Sequence, residues 1–275
     1  MKRKKRKKRA GKIAYTLIGA FLVPVLLIVL LGMISYKRAA KDITEQYENS
    51  VDGSLLTVSE YCRLLCANIE DKATEVVTHD DFVTYYTKYA GKKDSEAMRR
   101  SRDVGTILQA ARGICTYINA YHIISEKGGN VTSGAGRIGE DAYMRFAETK
   151  EAEISKGKGG WSGYHNFLDK ELSLKTDSYA IAYTRCFAKG EGYVCLDMSH
   201  ETIREILSAI EGGEGTIAAL VTGDEREVLY AQEDVLSQLS GAQVFAGSDY
   251  LAEAAASGEP GKRYVSFAGQ TCLFS

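Results

Sequence analysis

The order of apolar and polar residues divides this chain of 275 residues into three stretches. Residues 13–36 contain no charge and are mostly Leu, Ile and Val, which is typical of a segment surrounded by hydrocarbon. Residues 43–76 place apolar or weakly polar residues in nine steps over 33 residues, and this mean spacing of 3.67 predicts an amphipathic helix. After about residue 113, alternating apolar residues and glycine-rich turns predict short strands.

The uncharged segment from Ile13 to Tyr36 has 24 residues, and at about 1.5 Å per residue it can cross a hydrocarbon core of about 30 Å. A cleaved signal peptide is the alternative, but its apolar part covers only about 7–15 residues and ends in small residues. Residues 2–12 carry nine Lys and Arg, so the positive-inside rule places the N-terminus in the cytoplasm. We therefore expect a cell-membrane protein whose residues 37–275 are extracytoplasmic.

The formal net charge of -1 hides two parts of opposite sign. Nine basic residues lie within residues 1–12, so the other 263 residues carry 26 basic and 36 acidic groups. An acidic folded part argues against nucleic-acid binding, which needs a clustered basic surface. We expect the basic tail to contact anionic lipid headgroups instead.

The part after the apolar segment is predicted to begin with helices and to continue with strands. The amphipathic helix runs from Lys37 to about Thr78, a short helix follows to about Tyr89, and a third helix covers Ser95–Arg112. A first set of strands and helices follows, with turns between them. Its predicted elements are strands Ile114–Ser125 and Val131–Ser133, helix Glu140–Ser155, strand Trp161–Phe167, a turn at Leu168–Leu172, strands Ser178–Phe187 and Gly192–Met198, and a helix capped by Ser199 that ends at Glu211.

From Thr216 the same order of elements begins again, although the two sets are not similar residue by residue. The second set is predicted to contain strands Thr216–Thr222 and Glu227–Tyr230, helices Glu233–Leu239 and Asp249–Ser257, and strand Arg263–Ala268. The sequence ends at Ser275 in an apolar run, where the first set still has a strand and a helix to come. We therefore expect the second set to be truncated.

The six cysteines are too few and too scattered for a disulfide-built scaffold, so a hydrophobic core must stabilise the fold. Cys62 and Cys66 have helical i, i+4 spacing, which suits a metal site, but two small buried residues are the favoured interpretation. Cys186 and Cys195 flank a predicted hairpin turn and share a face of the sheet. A disulfide between them is the less favoured alternative, because direct opposition needs a six-residue loop.

Catalytic motifs are weak. The histidines lie singly, without the spacing of a zinc site. Gly134-x-Gly136-x-x-Gly139 has the glycine spacing of a dinucleotide-binding fingerprint, but the βαβ unit that gives this spacing its function is not predicted around it. Thr271-Cys272 is similar to the cysteine of sortase-type transpeptidases, but that class also needs a histidine on the preceding part of the barrel and an arginine after the cysteine. This sequence has no histidine after His200 and no arginine after Arg263, so the base that would activate the thiol is missing. We expect no enzyme activity, no cofactor and no metal. The four histidines are His79, His122, His165 and His200.

Four features belong together: the basic tail with its apolar segment, the exit sequence Ile34-Ser35-Tyr36-Lys37, the helix motif Ile43-x-x-x-Tyr47-Glu48-x-Ser50, and the strand from Gly192 through Asp197 that leads into a helix. Over about residues 34–275 they resemble the double Cache sensor module of bacterial methyl-accepting chemotaxis receptors. The resemblance implies an α+β fold in which a single transmembrane helix continues into a long helix that carries two PAS-like antiparallel-sheet modules, the second truncated.

The resemblance also implies five regions along the chain. They are a basic cytoplasmic tail at 1–12, a transmembrane helix at 13–36, a stalk helix and following helices at 37–112, a membrane-distal Cache module at 113–211, and the start of a membrane-proximal Cache module at 212–275.

In amino-acid-binding Cache modules, an Arg-x-Trp-Tyr motif after the first hairpin holds the ligand's carboxylate, and Tyr and Asp residues on later strands hold its ammonium group. The corresponding helix here, at 141–146, lacks the Trp-Tyr pair. The alternative interpretation of the matching positions is structural, with aromatic residues in the core, arginines in solvent and Asp197 as a helix cap. The candidates by position are Arg137 or Arg145 for an anionic group, Tyr143 and Trp161 as aromatic walls, Tyr164 and Asn166 as hydrogen-bonding partners, and Asp197 for a cationic group.

We interpret the chain as the extracytoplasmic small-molecule sensor of a transmembrane signalling receptor, with a chemotaxis receptor as the leading hypothesis. The sensor of a histidine kinase or nucleotide cyclase is the alternative within this class, and a membrane-anchored surface enzyme or assembly protein is the alternative from another class. The expected partners are a small-molecule ligand, the membrane and a second copy of the chain in a homodimer, with no nucleic acid. Cytoplasmic signalling partners are expected only if a C-terminal part exists.

Overall fold

The computed structural model describes residues 2–134, 136–210, 213, 215–239, 244–257, 261–267 and 270–275. The chain divides into two compact units, residues 1–53 and 54–275. The first unit is helical, and the second contains helices followed by antiparallel strands. The predicted α+β class is confirmed.

Helix α1 runs from Lys2 to Thr78 and includes Pro24. From Leu17 onward it is long and apolar enough to cross a membrane. In the first unit its apolar side chains are exposed, for example Phe21 at 72% and Ile28 at 69%. A continuous apolar surface of this kind is typical of contact with lipid rather than water. The predicted helix from Lys37 to Thr78 is confirmed as part of α1.

Two further helices and a π-helical turn precede the strands of the second unit. Helix α2 (Asp80–Thr84) leads directly into the π-helical turn Tyr85–Tyr89. Helix α3 (Ser95–Ile114) begins after Asp94, whose carboxylate accepts a hydrogen bond of 2.8 Å from the backbone N–H of Ala97. This cap satisfies one of the backbone donors that every helix start leaves unpaired.

Five antiparallel strands form the first sheet, in the order β2-β1-β5-β4-β3. All seven residues of the central strand β5 are buried, because side chains cover both faces of the sheet. One face packs against α1 and α3, and the other packs against α4, α5 and α6. The elements are β1 (Ile118–Ser125), β2 (Val131–Thr132), α4 (Ala142–Ala147), α5 (Lys150–Ile154), β3 (Gly160–Ser162), α6 (Leu168–Leu172), β4 (Ala182–Cys186) and β5 (Gly192–Met198).

Two predicted elements in this sheet were wrong. The strand predicted at Trp161–Phe167 ends at Ser162, and Leu168–Leu172 is a helix rather than a turn. The carbonyl of His165 accepts from the N–H of Asp169 at 2.8 Å, which starts the helix, and both leucines are buried at helical spacing.

The predicted helix 140–155 is split into α4 and α5. The hydroxyl of Thr149 accepts from the N–H of Ala152 at 3.2 Å, so Thr149 caps a new helix in the middle of the predicted one.

The elements after β5 follow the predicted order. Ser199 caps α7 (His200–Ser208) as predicted, with its hydroxyl accepting from the N–H of Thr202 at 3.3 Å. Glu211, the predicted end of this helix, and Gly212, the predicted start of the second module, lie outside the described residues, as does Ala268. The remaining elements are β6 (Ile217–Val221) paired with β7 (Glu227–Ala231), α8 (Glu233–Leu239), α9 (Asp249–Ser257), and β8 (Arg263–Phe267) paired with β9 (Gln270–Phe274).

None of the six cysteines, all of which lie in the described part of the chain, forms a disulfide. Cys195 is opposite Thr184 in the sheet, and Cys186 is opposite Tyr193. The two cysteines therefore share a face, as predicted, but are offset by two residues along the strands.

We expect Leu108→Ala to destabilise the second unit by about 2–5 kcal/mol, because Leu108 is 1% exposed and its truncation leaves a cavity. Urea unfolding of the full chain in detergent, followed by the fluorescence of its single tryptophan Trp161, measures this loss. Met98→Ala on the same helix is the matched control, since Met98 is 59% exposed and its change is expected within about 0.5 kcal/mol. Equal losses in both variants would contradict the described packing of α3.

Candidate functional site

A cluster of buried polar side chains lies on the sheet face that α4, α5 and α6 cover. His122 on β1 is opposite Cys195 on β5, and Asp197 is two residues further along β5, so these side chains share one face. His165 joins them from the segment between β3 and α6. His122 and His165 are fully buried, and Asp197 is 2% exposed.

The carboxylate of Asp197 accepts a hydrogen bond from each histidine. Its Oδ2 is 3.1 Å from Nε2 of His122, and its Oδ1 is 2.6 Å from Nε2 of His165. The other ring nitrogen of His122, Nδ1, is 2.8 Å from Oγ1 of Thr132 on β2. Both oxygens of the buried acid are thus paired, which is the condition for keeping such a group in a protein interior.

The pKa shifts in this cluster favour the charged pair. Burial raises the pKa of Asp197, but the charges and hydrogen bonds of His165 and His122 outweigh it and hold the pKa well below its usual range. Burial lowers the pKa of His165, but the charge and hydrogen bond of Asp197 outweigh it and the pKa is raised. Asp197 is therefore ionised at neutral pH and able to bind a cation.

An orphaned pair of polar groups lies beside these residues. Within the part of the chain that the structure describes, the carboxylate oxygens of Glu151 on α5 and Nδ1 of His165 make no hydrogen bond of normal geometry, although the backbone amides of Asn166 and Phe167 lie near the Glu151 carboxylate. Burial raises the pKa of Glu151, and the charge of His165 and the backbone amides of Asn166 and Phe167 oppose the rise. The negative charge of Glu151 in turn contributes to the raised pKa of His165. Because buried polar groups are normally paired, this arrangement is unusual for core packing.

The segment that carries His165 is held by the turn between β6 and β7. Asp224 in this turn accepts hydrogen bonds from the backbone N–H groups of Gly163 at 2.9 Å and Tyr164 at 3.0 Å. A Cβ atom at position 163 would collide with Asp224, so the approach requires glycine there. The segment preceding His165 is therefore fixed from outside the first sheet.

Arg226 fixes the same segment from the buried side. Its guanidinium donates to the carbonyls of Gly163 at 2.6 Å, Thr176 at 2.5 Å and Tyr179. It also lies over the rings of Tyr179, 4.1 Å from the centroid, and Tyr164, at 5.1 Å. The side chain is 2% exposed, so these contacts replace its hydration.

Tyr179 connects Arg226 to the cluster. Its hydroxyl accepts from the backbone N–H of His165 at 2.7 Å and donates to Asp169 at 3.0 Å. The turn after β6, the His165 segment and the start of α6 thus form one hydrogen-bonded network.

Of the seven residues predicted from the sequence, three lie at or beside this cluster. Asp197 is its central acid. Tyr164 and Asn166 flank His165 in the chain, with Tyr164 half-buried under Arg226 and Asn166 exposed.

The other four predicted residues have different partners. Trp161 is opposite Tyr183, which is opposite Leu196, so its side chain lies on the sheet face away from Asp197. Its indole N–H donates to Glu70 on α1 at 2.7 Å. The hydroxyl of Tyr143 donates to Glu191 at 3.0 Å. Arg145 pairs with Asp141 and Glu171, both at 3.0 Å. Arg137 is exposed and lies 3.8 Å from Glu140.

Sequence analysis missed His122, His165 and Glu151 as site residues. The signal available for His122 is that it lies between the apolar residues 120–121 and 123–124 in the buried part of β1, as Asp197 lies between apolar residues in β5. No comparable pattern marks His165 or Glu151, because their positions depend on the path of the chain between β3 and β4 for His165 and between β2 and β3 for Glu151.

A cavity of about 530 Å³ opens on the other side of β1, near the end of α3. Thr132 belongs both to this cavity and to the cluster, through its contact with His122. The candidate site is nevertheless the cluster, because the convergent, buried and ionised groups are there. The cavity is lined by Gln109, Arg112, Gly113, Tyr121, Thr132 and Ser133.

The fold is similar to that of bacterial sensory domains. The ligand-binding domain of the Campylobacter jejuni chemoreceptor Tlp3, in complex with 4-methylisoleucine, matches with a TM-score of 0.55 at 14% identity, covering 82% of this chain and 85% of that chain. The sensory domain of Tlp3 (CcmL) matches with a TM-score of 0.50 at 12% identity, covering 83% and 87%. The ligand-binding domain of the Pseudomonas fluorescens chemoreceptor CtaA, in complex with L-isoleucine, has a TM-score of 0.45 at 12% identity, covering 83% and 86%.

No family model matches the sequence, and no curated protein does either. The two higher-scoring structures are sensory domains rather than enzymes, and at these identities the likeness establishes the fold. The predicted resemblance in fold to the sensory domains of chemoreceptors is confirmed.

We expect Arg226→Met to destabilise the second unit by at least about 3 kcal/mol, because methionine fills a similar volume but leaves two buried carbonyls and one partly buried carbonyl without this donor. Urea unfolding of the full chain in detergent measures the loss. Arg137→Met is the matched control, since the Arg137 side chain is 86% exposed, and its change is expected within about 0.5 kcal/mol. Similar stability of the two variants would show that Arg226 does not anchor the His165 segment.

Proposed function

We propose that this chain is the extracytoplasmic sensor of a transmembrane signalling receptor, and that its first sheet module binds a small ligand at the cluster around Asp197. The observation that carries the proposal is the cluster itself: an ionised acid and two imidazoles that converge on one enclosed point. Ligand sites have this character, with a few oriented polar groups inside apolar walls. The fold supports only a similarity to sensory domains, so the argument for ligand binding rests on the residues of the site.

The cover of the proposed site consists of short elements. Helices α4, α5 and α6 have six, five and five residues, and helices of this length depend on their tertiary contacts for stability. Phe146 on α4 and Leu168 on α6 are fully buried and form its apolar wall. Such a cover can open locally at lower cost than the sheet beneath it.

The proposed site retains Asp197 and the neighbouring Tyr164 and Asn166 from the sequence-based candidates. Arg137, Tyr143, Arg145 and Trp161 are outside it, because each has partners away from the cluster.

Ligand binding is proposed to act on the second set of strands through Asp224 and Arg226. A ligand that moves His165 also moves Gly163 and Tyr164, whose backbone groups bind the β6–β7 turn. The strands of that turn are packed against α7. A binding event in the first sheet thereby changes contacts in the second, which is the coupling that a sensor needs.

The same proposal assigns residues 13–36 to the membrane, the N-terminus to the cytoplasm, and the working state to a homodimer. A chemotaxis receptor is the preferred receptor type, because both structural neighbours that support the fold come from chemoreceptors. The exposed apolar segment of α1 and the basic residues before it support the membrane topology.

We expect a screen of amino acids, organic acids, amines and divalent metal ions to raise the unfolding temperature of the full chain in detergent for at least one class. At 100 times its dissociation constant, a ligand adds about 2.7 kcal/mol of stability. Asp197→Asn is expected to remove the shift, whereas Asp177→Asn, a change at an exposed acid, is expected to keep it. If no compound produced a shift, or if Asp197→Asn left it intact, the site would be excluded.

We expect a cysteine introduced by Lys93→Cys to react with a membrane-impermeant maleimide on intact cells, because Lys93 lies in an exposed loop of the proposed outer part. Lys5→Cys in the basic tail is the opposite case and should react only after the membrane is permeabilised. The parent chain gives the background from the natural cysteines. Labelling of Lys5→Cys but not of Lys93→Cys on intact cells would reverse the proposed topology.

A further inference from the structure

Three metal-ligating groups converge in the candidate site. One ring nitrogen of His122, one of His165 and a carboxylate oxygen of Asp197 all lie within 4.8 Å of one another. In a tetrahedral zinc site with bonds of about 2.0–2.2 Å, neighbouring ligand atoms are roughly 3.3 Å apart. The nitrogen–oxygen distances here, 3.1 Å from His122 to Oδ2 and 2.6 Å from His165 to Oδ1, are those of direct hydrogen bonds, so an ion requires the side chains to separate by about 0.2–0.7 Å.

The enclosure of the cluster favours an ion over an organic molecule. His122 and His165 have no exposed surface and Asp197 has 2%, and the apolar side chains of Phe146 and Leu168 pack over the same face of the sheet. A dehydrated metal ion fits between three converging ligand atoms, whereas a small organic ligand needs a cavity of roughly 300 Å³ or more.

The residues around the histidines are suited to metal ligation. Metal-bound histidines usually donate their second N–H to an oxygen acceptor. Thr132 Oγ1 is in this position for His122, at 2.8 Å from Nδ1. Nδ1 of His165 is buried and has no hydrogen-bond partner within the described residues, so it is available to an acceptor such as a water molecule.

We propose that His122, His165 and Asp197 bind a Zn²⁺ ion through Nε2, Nε2 and a carboxylate oxygen, with the fourth position open to water or a further ligand. The inference names the ligand class of the proposed sensor site and so rests on that function. On binding, each Nε2 uses its lone pair for the metal, so a proton held there is released to solvent. Two imidazoles and one carboxylate suit a borderline divalent ion, whereas Mg²⁺ and Ca²⁺ prefer oxygen ligands alone.

The test uses the full chain in detergent, purified without a histidine tag, stripped of metal and dialysed against ZnCl₂ or MgCl₂. We expect one Zn²⁺ per chain and no Mg²⁺. His122→Gln and His165→Gln should each weaken Zn²⁺ binding by at least about 100-fold, since loss of a supporting residue alone costs about 10–100-fold. Thr132→Val, which removes only the oxygen beside Nδ1 of His122, should weaken it by about 10–100-fold.

Matched controls address the other metal-binding groups of the chain. His79→Gln removes a histidine at the start of α2, and the double change Cys62→Ser with Cys66→Ser removes the thiols at helical spacing on α1. Both variants should bind Zn²⁺ with unchanged affinity. If the first two histidine variants fail to fold, X-ray absorption of the zinc-loaded parent chain decides the matter: two imidazoles and oxygen ligands support the site, and sulfur ligands overturn it.

Absence of stoichiometric Zn²⁺ binding, or binding that His122→Gln and His165→Gln leave intact, would overturn the inference. Stabilisation of the metal-free chain by an organic compound, lost in Asp197→Asn, would overturn it while leaving the proposed sensor function in place. If neither ions nor organic compounds stabilised the chain, both the inference and the proposed function would be removed.

Discussion

A carboxylate buried on the central strand of a sheet needs partners that compensate its charge, and this requirement determines how the first module is arranged. Asp197 lies on β5 with 2% exposure, and leaving it ionised without partners would cost several kcal/mol. His122 supplies one partner from the neighbouring strand β1, and His165 supplies the other from the segment after β3. The path of that segment is therefore set by electrostatics as much as by packing.

The second sheet completes this arrangement. A segment that delivers His165 to a buried acid also brings its own backbone groups out of water, and these need partners. Asp224 binds two of its N–H groups, and Arg226 binds carbonyls on both sides of the segment. The support of the candidate site therefore lies outside the sheet that contains it, so the geometry of the site and the position of the β6–β7 turn cannot change independently. A ligand that shifts the site therefore also shifts the β6–β7 turn, as a sensor built from two sets of strands requires.

The elements that could be predicted from the sequence are those with strong local signals at both ends. Strand β5 was predicted to the residue, because an apolar run lies between a glycine-containing turn and the N-cap Ser199. Helix α6 was missed because its start depends on His165, whose backbone is fixed by Arg226 and Tyr179 from distant parts of the chain. In the site, Asp197 was predicted because its position on the strand matches the aspartate that holds the ammonium group in the modules that the chain resembles. Its partner His165 was not, because their contact exists only once the strands and the segment after β3 are in place.

The partners of Asp197 decide between two ligand chemistries that its sequence position alone leaves open. An ammonium group could approach this carboxylate, but both oxygens already accept hydrogen bonds from imidazoles, so an incoming N–H would replace an existing bond and leave a buried histidine without its partner. A divalent ion also displaces these two hydrogen bonds, but it replaces them with bonds to the acid and to both imidazoles at once, so none of the three groups is left without a partner. An aspartate that could hold an amine in a solvent-exposed pocket is therefore better suited to a metal ion when two histidines surround it in the protein interior.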